Sequence, residues 1–279
     1  MLKQKSEVEQ QRFRSYFKNL DCNRAVVTGE PSMSYNCISW SVGLKDRWLW
    51  PGNNLGDYDV FYNMFGYERA RSGSIAVWGR SEKEITHASV LVTGTVIKWE
   101  SKCGVDLRIQ HTLSELNDSI YGKVVAYYVP VKPFNNGLSM SDEIKPLDFR
   151  FSADELRLIK ESASSIPKKT VIEFEKLFEA WRNSWFRGLQ AINSNPYSRV
   201  NSLEFFRLLK MREQVIPLVI QKLTEKNNFL ALLLYEKLQQ NPDLIAPPCS
   251  EDLRLCEGEQ GRAYRTIKTY LLGDYLIAG

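Results

Sequence analysis

SIAVWGRSEKEITHASVLVTGTVIKWESKCGVDLRIQH, residues 74–111, decides how the first half of this chain folds. The runs 74–78, 85–92, 95–101 and 106–111 are rich in β-branched and aromatic residues and are separated by Gly, Ser, Lys and Asp, so each predicts a strand. A further run at 123–131 predicts a fifth. Between the second and third, Thr93-Gly94 predicts a two-residue hairpin loop. On that register Val92 faces Thr95, and counting outward puts His87 opposite Glu100. Opposed residues project from one face with Cβ atoms about 5 Å apart. A one-residue change of register would bring Ser101 to that face instead. Both side chains are therefore candidate partners of His87.

Working outward toward the N-terminus, residues 6–20 predict a helix, with Phe13, Tyr16, Phe17 and Leu20 on one face. A turn-rich stretch follows, 21–34, containing Gly29-Glu30-Pro31. A short helix is expected from about Asn36 to Gly43 with Ser34 as its cap, and another over 57–66, ending at Gly66. Helices followed by a small antiparallel sheet predict an α+β domain over 1–132. Residues 133–150, with Asn135-Asn136-Gly137, read as a linker. Beyond it, 151–279 reads as an all-α domain. Ser152…Glu155 and Thr170…Glu173 both match a capping box. Helix 171–190 is expected to bury Phe174, Leu177, Phe178, Trp181 and Trp185. Helices near 202–212, 214–225, 228–240 and 260–277 follow, with Pro217 in a first turn where proline is tolerated. A bundle, or a stack of helical hairpins of degenerate HEAT type, fits this pattern.

Bulk properties exclude several classes. At 279 residues and 43% hydrophobic content the chain can build real cores, so it is not a disordered segment. Five cysteines are an odd, scattered set in a chain large enough to fold without staples, which predicts a reducing compartment. The charged opening, MLKQKSEVEQQ, is unlike a secretory signal, and the apolar run at 229–235 is too short to span a bilayer. The expectation is a cytoplasmic protein, or one delivered to another cell without a signal peptide. Net charge is +4 with both signs interleaved, so nothing points to nucleic acid. No phosphate-cradling loop or dinucleotide fingerprint is present, and Cys249 and Cys256 lack zinc spacing. No cofactor, metal or membrane partner is expected.

The chemistry-bearing stretches are Tyr35-Asn36-Cys37-Ile38-Ser39-Trp40, Thr86-His87-Ala88-Ser89 and Trp99-Glu100-Ser101-Lys102. A thiol attacks as its thiolate, which a helix N-terminus and a nearby imidazole favour. Cys37 stands where a helix would begin, and His87 stands on a strand, as a Cys–His pair requires. Glu100 or Ser101 would hold the imidazole. The backbone N–H of Cys37, with Asn36 or the preceding loop, would stabilise an oxyanion. His111 has an auxiliary reading, Cys103 reads better as a packed residue than as a second thiol, and Trp48 and Trp50 read as cleft lining or turn packing.

The strings NCISW-x-x-G (36–43), DRWLWPG (46–52), THAS (86–89) and WESKCG (99–104) resemble those of an uncharacterised bacterial domain family related to the papain-like and NlpC/P60-like thiol peptidases. The resemblance covers about 30–130. It implies a papain-like fold, Cys37 as nucleophile, His87 as base, and Ser101 alongside Glu100 as third residue. It departs from the NlpC/P60 enzymes in reading Asn-Cys-Ile where they read Asp-Cys-Ser. The helical half resembles a small bacterial helical domain of unknown role. Three functions follow as expectations. The first is a cysteine hydrolase, of peptidase, amidase or deamidase type, acting on a protein or peptide as an effector, toxin or defence component. The second is an inactive papain-like interaction module. The third is a scaffold that binds a protein partner through its C-terminal helices.

Overall fold

The structure is a computed structural model and describes residues 2–94, 96, 99–117, 120–131, 148–245 and 251–277. Contacts divide it into two units. The first is Met1–Lys145 together with Ala191–Asn195; the second is Pro146–Gln190 together with Pro196–Gly279. The return of Ala191–Asn195 to the first unit has no signal in the sequence pattern. Most of the anticipated linker, 133–150, lies outside the described residues.

The first unit is mixed α/β. It opens with α1 (Glu7–Tyr16), started by a reciprocal cap in which Glu9 N–H donates to Ser6 Oγ and Ser6 N–H to the Glu9 carboxylate. The helix stops short of the expected 20, yet Phe13, Tyr16, Phe17 and Leu20 are all buried. β1 (Val26–Gly29) follows, then α2 (Cys37–Ser41) and α3 (Leu55–Met64). The strands β2 (Tyr67–Ala70), β3 (Ile75–Ser81), β4 (Glu84–Leu91), β5 (Trp99–Lys102) and β6 (Arg108–His111) come next, then the single turn α4 (Leu113–Leu116) and β7 (Lys123–Pro130). The strands form one antiparallel sheet in the order β1-β6-β5-β4-β3-β7-β2.

Two of these strands were not expected. β1 is four residues hidden in a turn-rich stretch. β2, Tyr-Glu-Arg-Ala, is a short charged edge strand of the kind that discourages further pairing. The cap of α2 is Asn36, not Ser34: Asn36 Oδ1 accepts the Ser39 N–H at 3.0 Å, and its Nδ2 donates to Leu49 O at 2.6 Å. The cap thus also pins the Trp48-Leu49-Trp50 turn onto α2.

The β4–β5 register also differs from the hairpin expectation. Val90 pairs with Glu100 and Leu91 with Trp99, so there is no two-residue loop at Thr93-Gly94; Thr95, on which that reading counted, lies outside the described residues. The partner of Glu100 moves by three residues, from His87 to Val90. An odd shift exchanges faces, because strand side chains alternate. Ser101, rather than Glu100, is therefore carried to the His87 face. Ser101 pairs with Ile109 of β6, and Ile109 lies in one buried cluster with Trp78, Tyr121, Phe13, Phe17 and Leu107, so the observed register puts Ser101 on the core face.

The second unit is helical over α5 (Ala153–Ser164), α6 (Lys168–Ser184), α7 (Gly188–Ile192, whose last two residues belong to the first unit), α8 (Leu203–Leu209), α9 (Ile216–Leu223), α10 (Leu232–Leu238) and α11 (Glu251–Ile277, kinked at Gly258). Ser152 and Glu155 form the reciprocal cap of α5. The cap expected at Thr170 is displaced, because α6 starts at Lys168 behind Pro167 and leaves Thr170 inside the first turn. Phe174, Phe178, Trp181 and Trp185, spaced by four, three and four, form its buried stripe, while Leu177 is half-buried. Among the described residues no helix is long and apolar enough to cross a membrane.

Candidate functional site

Three strands deliver a closed polar cluster into this apolar layer. His87 and Ser89 alternate onto one face of β4, Ser101 comes from β5 and His111 from the end of β6. All four are fully buried. Ser101 Oγ lies 2.8 Å from His87 Nε2, 2.7 Å from His111 Nε2 and 2.7 Å from Ser89 Oγ. Trp78 Nε1 donates to Ser89 Oγ at 2.8 Å. The His87 ring stacks on Tyr121 with centroids 3.9 Å apart and planes 3° from parallel. The chain has two histidines, and both meet on this one serine hydroxyl.

Counting protons assigns every partner. His111 Nδ1 lies 2.9 Å from Thr112 O, which can only accept, so Nδ1 carries the hydrogen and Nε2 is the acceptor. Ser101 must then donate to His111 Nε2. Ser89, already accepting from Trp78, donates to Ser101, and the remaining Ser101 lone pair accepts from His87 Nε2–H. His87 Nδ1 is left as a bare nitrogen, buried and without a hydrogen-bond partner. Burial keeps both rings neutral: it pushes His111 down to about 4 and His87 well below its ordinary value, with His111 adding to the latter.

Cys37 sits at the first position of α2, which packs on β4 and β5. It is fully buried. Its thiol donates to Ser194 Oγ at 3.1 Å. Burial pushes it up to about 11, against the opposing pull of Ser194, of the Ala88 and Ile38 backbone and of Lys102. Thiol and imidazole are not hydrogen-bonded to each other. The segment that carries Ser194 is held by three further bonds. Trp48 Nε1 donates to Ser194 O at 2.8 Å, Tyr121 Oη to Ile192 O at 2.9 Å, and Val105 N–H to Ala191 O at 2.7 Å.

The other sequence candidates take structural places. Glu100 faces Arg108, with an ion pair at 3.1 Å and a long bond from Gln110 Nε2 at 3.4 Å, and has no contact with His87. Asn36 is committed to its cap. Lys102 is buried with its ammonium donating to Ser32 O, Gly104 O and Asp106 O; burial lowers it to about 8. Cys103 is buried and pushed up by burial. Trp48 is fully buried with its Nε1 on Ser194 O, whereas Trp50 packs edge-on against Tyr58. Cys249 lies outside the described residues. Among the described residues no group of His, Cys, Asp or Glu is placed to hold a metal ion.

Residues 26–129 match a family described as a domain of unknown function (DUF7689). Comparison with curated proteins finds no match, and comparison with solved structures finds none. Cys37, Trp48, His87, Ser101, Gly104, His111 and Tyr121 all fall inside the matched stretch; Ser194, which covers the thiol, falls outside it. Sequence reasoning missed Ser194 and Tyr121, because neither stands near the site in the chain. Ser89 had a signal: His87-Ala88-Ser89 on a strand puts the first and third residues on one face.

Proposed function

We propose that the first unit is a papain-like thiol hydrolase that cleaves an amide bond in a protein or peptide. The observation that carries this reading is the bare, buried His87 Nδ1 in a ring whose other nitrogen is tied to Ser101, on the strand against which the helix opened by Cys37 packs. An orphaned buried acceptor costs about 1–3 kcal/mol, so it calls for a role. In the reading, Nδ1 takes the Cys37 proton and the sulfur bonds to the carbonyl carbon. Nδ1–H then protonates the leaving amine as the C–N bond breaks. Water, losing its proton to Nδ1, adds to the thioester and releases the acid and the thiol. Ser101 orients the ring. The Cys37 backbone N–H at the helix start, and the Tyr58 hydroxyl, buried, unpartnered and within electrostatic reach of Cys37, are the donors available to an oxyanion.

The test is acylation by p-nitrophenyl acetate, followed by intact mass and peptide mapping, in wild type, Ser194→Ala and each of these with His87→Ala. The reading expects an acetyl group on Cys37, formed faster with Ser194→Ala and slowed at least tenfold by His87→Ala. Acylation of Cys37 that ignores His87 in both backgrounds would sink it. One observation favours the alternative of a non-catalytic interaction module: the thiol is neutral, sealed and bonded to Ser194. That alternative predicts that Cys37→Ala leaves every binding property intact.

A further inference from the structure

His111 has no contact with Cys37 among its hydrogen bonds, yet the hydrogen-bond chain runs through it. We propose that His111 is a positioning residue, which fixes the nitrogen of His87 that is free to act as a base. The argument is one of valence. Ser101 has a single hydrogen to give and three neighbours: Ser89, His87 and His111. His111, with Nδ1–H spent on Thr112 O, offers only a lone pair at Nε2. Were Ser101 to donate to His87 instead, two lone pairs would face each other over 2.7 Å in a dry core. Were it to donate to Ser89, that hydroxyl would accept from both Trp78 and Ser101 and its own hydrogen would lose its partner. One arrangement satisfies every member, and in it His87 is the Nε2–H tautomer with Nδ1 bare.

Removal of the His111 acceptor frees the Ser101 hydrogen. It can then turn to His87 Nε2, which allows the ring to carry its proton on Nδ1 and cancels the base. His111→Gln keeps an acceptor, the amide oxygen; His111→Phe removes it and keeps a ring beside Trp78, whose centroid lies 6.5 Å from that of His111. The consequence for chemistry rests on the thiol-hydrolase reading; the tautomer does not.

The experiment is long-range proton–nitrogen NMR of the imidazoles in the full chain, where two histidines give two spin systems in wild type and one in each variant. Wild type is expected to show His87 protonated at Nε2 and His111 at Nδ1. His111→Gln is expected to keep the His87 tautomer, and His111→Phe to move most of the population to Nδ1–H. Alkylation of Cys37 at neutral pH should fall at least tenfold in His111→Phe and return to within about twofold in His111→Gln. A wild-type spectrum with His87 protonated at Nδ1, or His111 at Nε2, overturns the assignment even if no variant folds. An unchanged His87 tautomer in His111→Phe overturns it too. Tautomers that follow the prediction while Cys37 ignores His87 support the role of His111 and remove the hydrolase reading alone.

Discussion

Gly104→Ala is the perturbation that should open the Cys37 cleft. Gly104 has φ +52°, where a side chain costs roughly 1–2 kcal/mol. A Cβ there would lie 2.4 Å from Ala191 O and 2.6 Å from Ile192 C, both backbone atoms that cannot swing aside. The seal it would dislodge includes four hydrogen bonds, from Val105, Tyr121, Trp48 and Cys37 to residues 191–194, and the buried Ile192 side chain. At about 0.5–1.5 kcal/mol per hydrogen bond and about 1.5–3 for the aliphatic side chain, the seal is worth roughly 4–9 kcal/mol. Spontaneous opening in wild type would then expose Cys37 less than about one part in 10³ of the time. Burial adds a second brake. A thiol held at about 11 carries about 200-fold less thiolate at pH 8 than one near 8.5.

The assay is iodoacetamide labelling read by peptide mapping, with half-buried Cys256 as the internal comparator and hydrogen exchange reporting on 191–195. Wild-type Cys37 should label at least 10³-fold more slowly than Cys256, and Gly104→Ala should remove most of that gap while amide protection at 191–195 collapses. Comparable labelling of the two cysteines in wild type would refute the seal. So would a freed 191–195 segment that leaves Cys37 as slow as before.

The two histidines set an acid limit. The unfolded chain protonates both rings below about pH 6.5, while the folded one holds them neutral, so stability is full above that pH and falls below it, down to about 4 for the part due to His111. His111 alone then contributes a loss of about 3 kcal/mol across that window, to be read as a drop in urea midpoint that is flattened in His87→Gln/His111→Gln. Ser101→Ala strips partners from three buried groups and should cost about 2–4 kcal/mol, with broadened His87 resonances. Glu100→Gln should leave both imidazole tautomers unchanged, since its partner is Arg108. Asn36→Ala should lower stability by about 1–2 kcal/mol and speed exchange at Ser39 and Trp40, because the cap is lost.

What was legible in the sequence follows the range of each force. The five inner strands were readable because β-branched density is local, and the aromatic stripe of α6 because its period is local. β1 and β2 were not, since their pairing is decided by β6 and β7, which lie far along the chain. The choice between Glu100 and Ser101 depended on parity alone. A tight turn at Thr93-Gly94 favours one face, and the core around Trp78 and Tyr121 favours the other. Ser194 was beyond any local reading, because 157 residues separate it from the thiol it meets.

The resting site is neutral for a single reason, and that reason fixes the order of events in any thiol chemistry here. Burial raises Cys37 to about 11 and lowers His87 well below 6.5. Moving a proton from sulfur to the imidazole in the closed state therefore runs against both shifts, before any attraction between the two charges. The Ser194 hydroxyl can turn to donate to the thiolate, so that contact offsets part of the cost. Removal of Ala191–Asn195 relieves the desolvation at sulfur, because Ser194 is the residue that meets the thiol. The Ser101–His111 part of the network needs no rearrangement in that step, since its hydrogens are already committed away from Nδ1. Opening must thus precede ionisation, and the pH profile of Cys37 labelling should shift to lower pH in Gly104→Ala; a profile that stays centred near 11 in the opened chain would separate the seal from the pKa and show that some other wall desolvates the thiol.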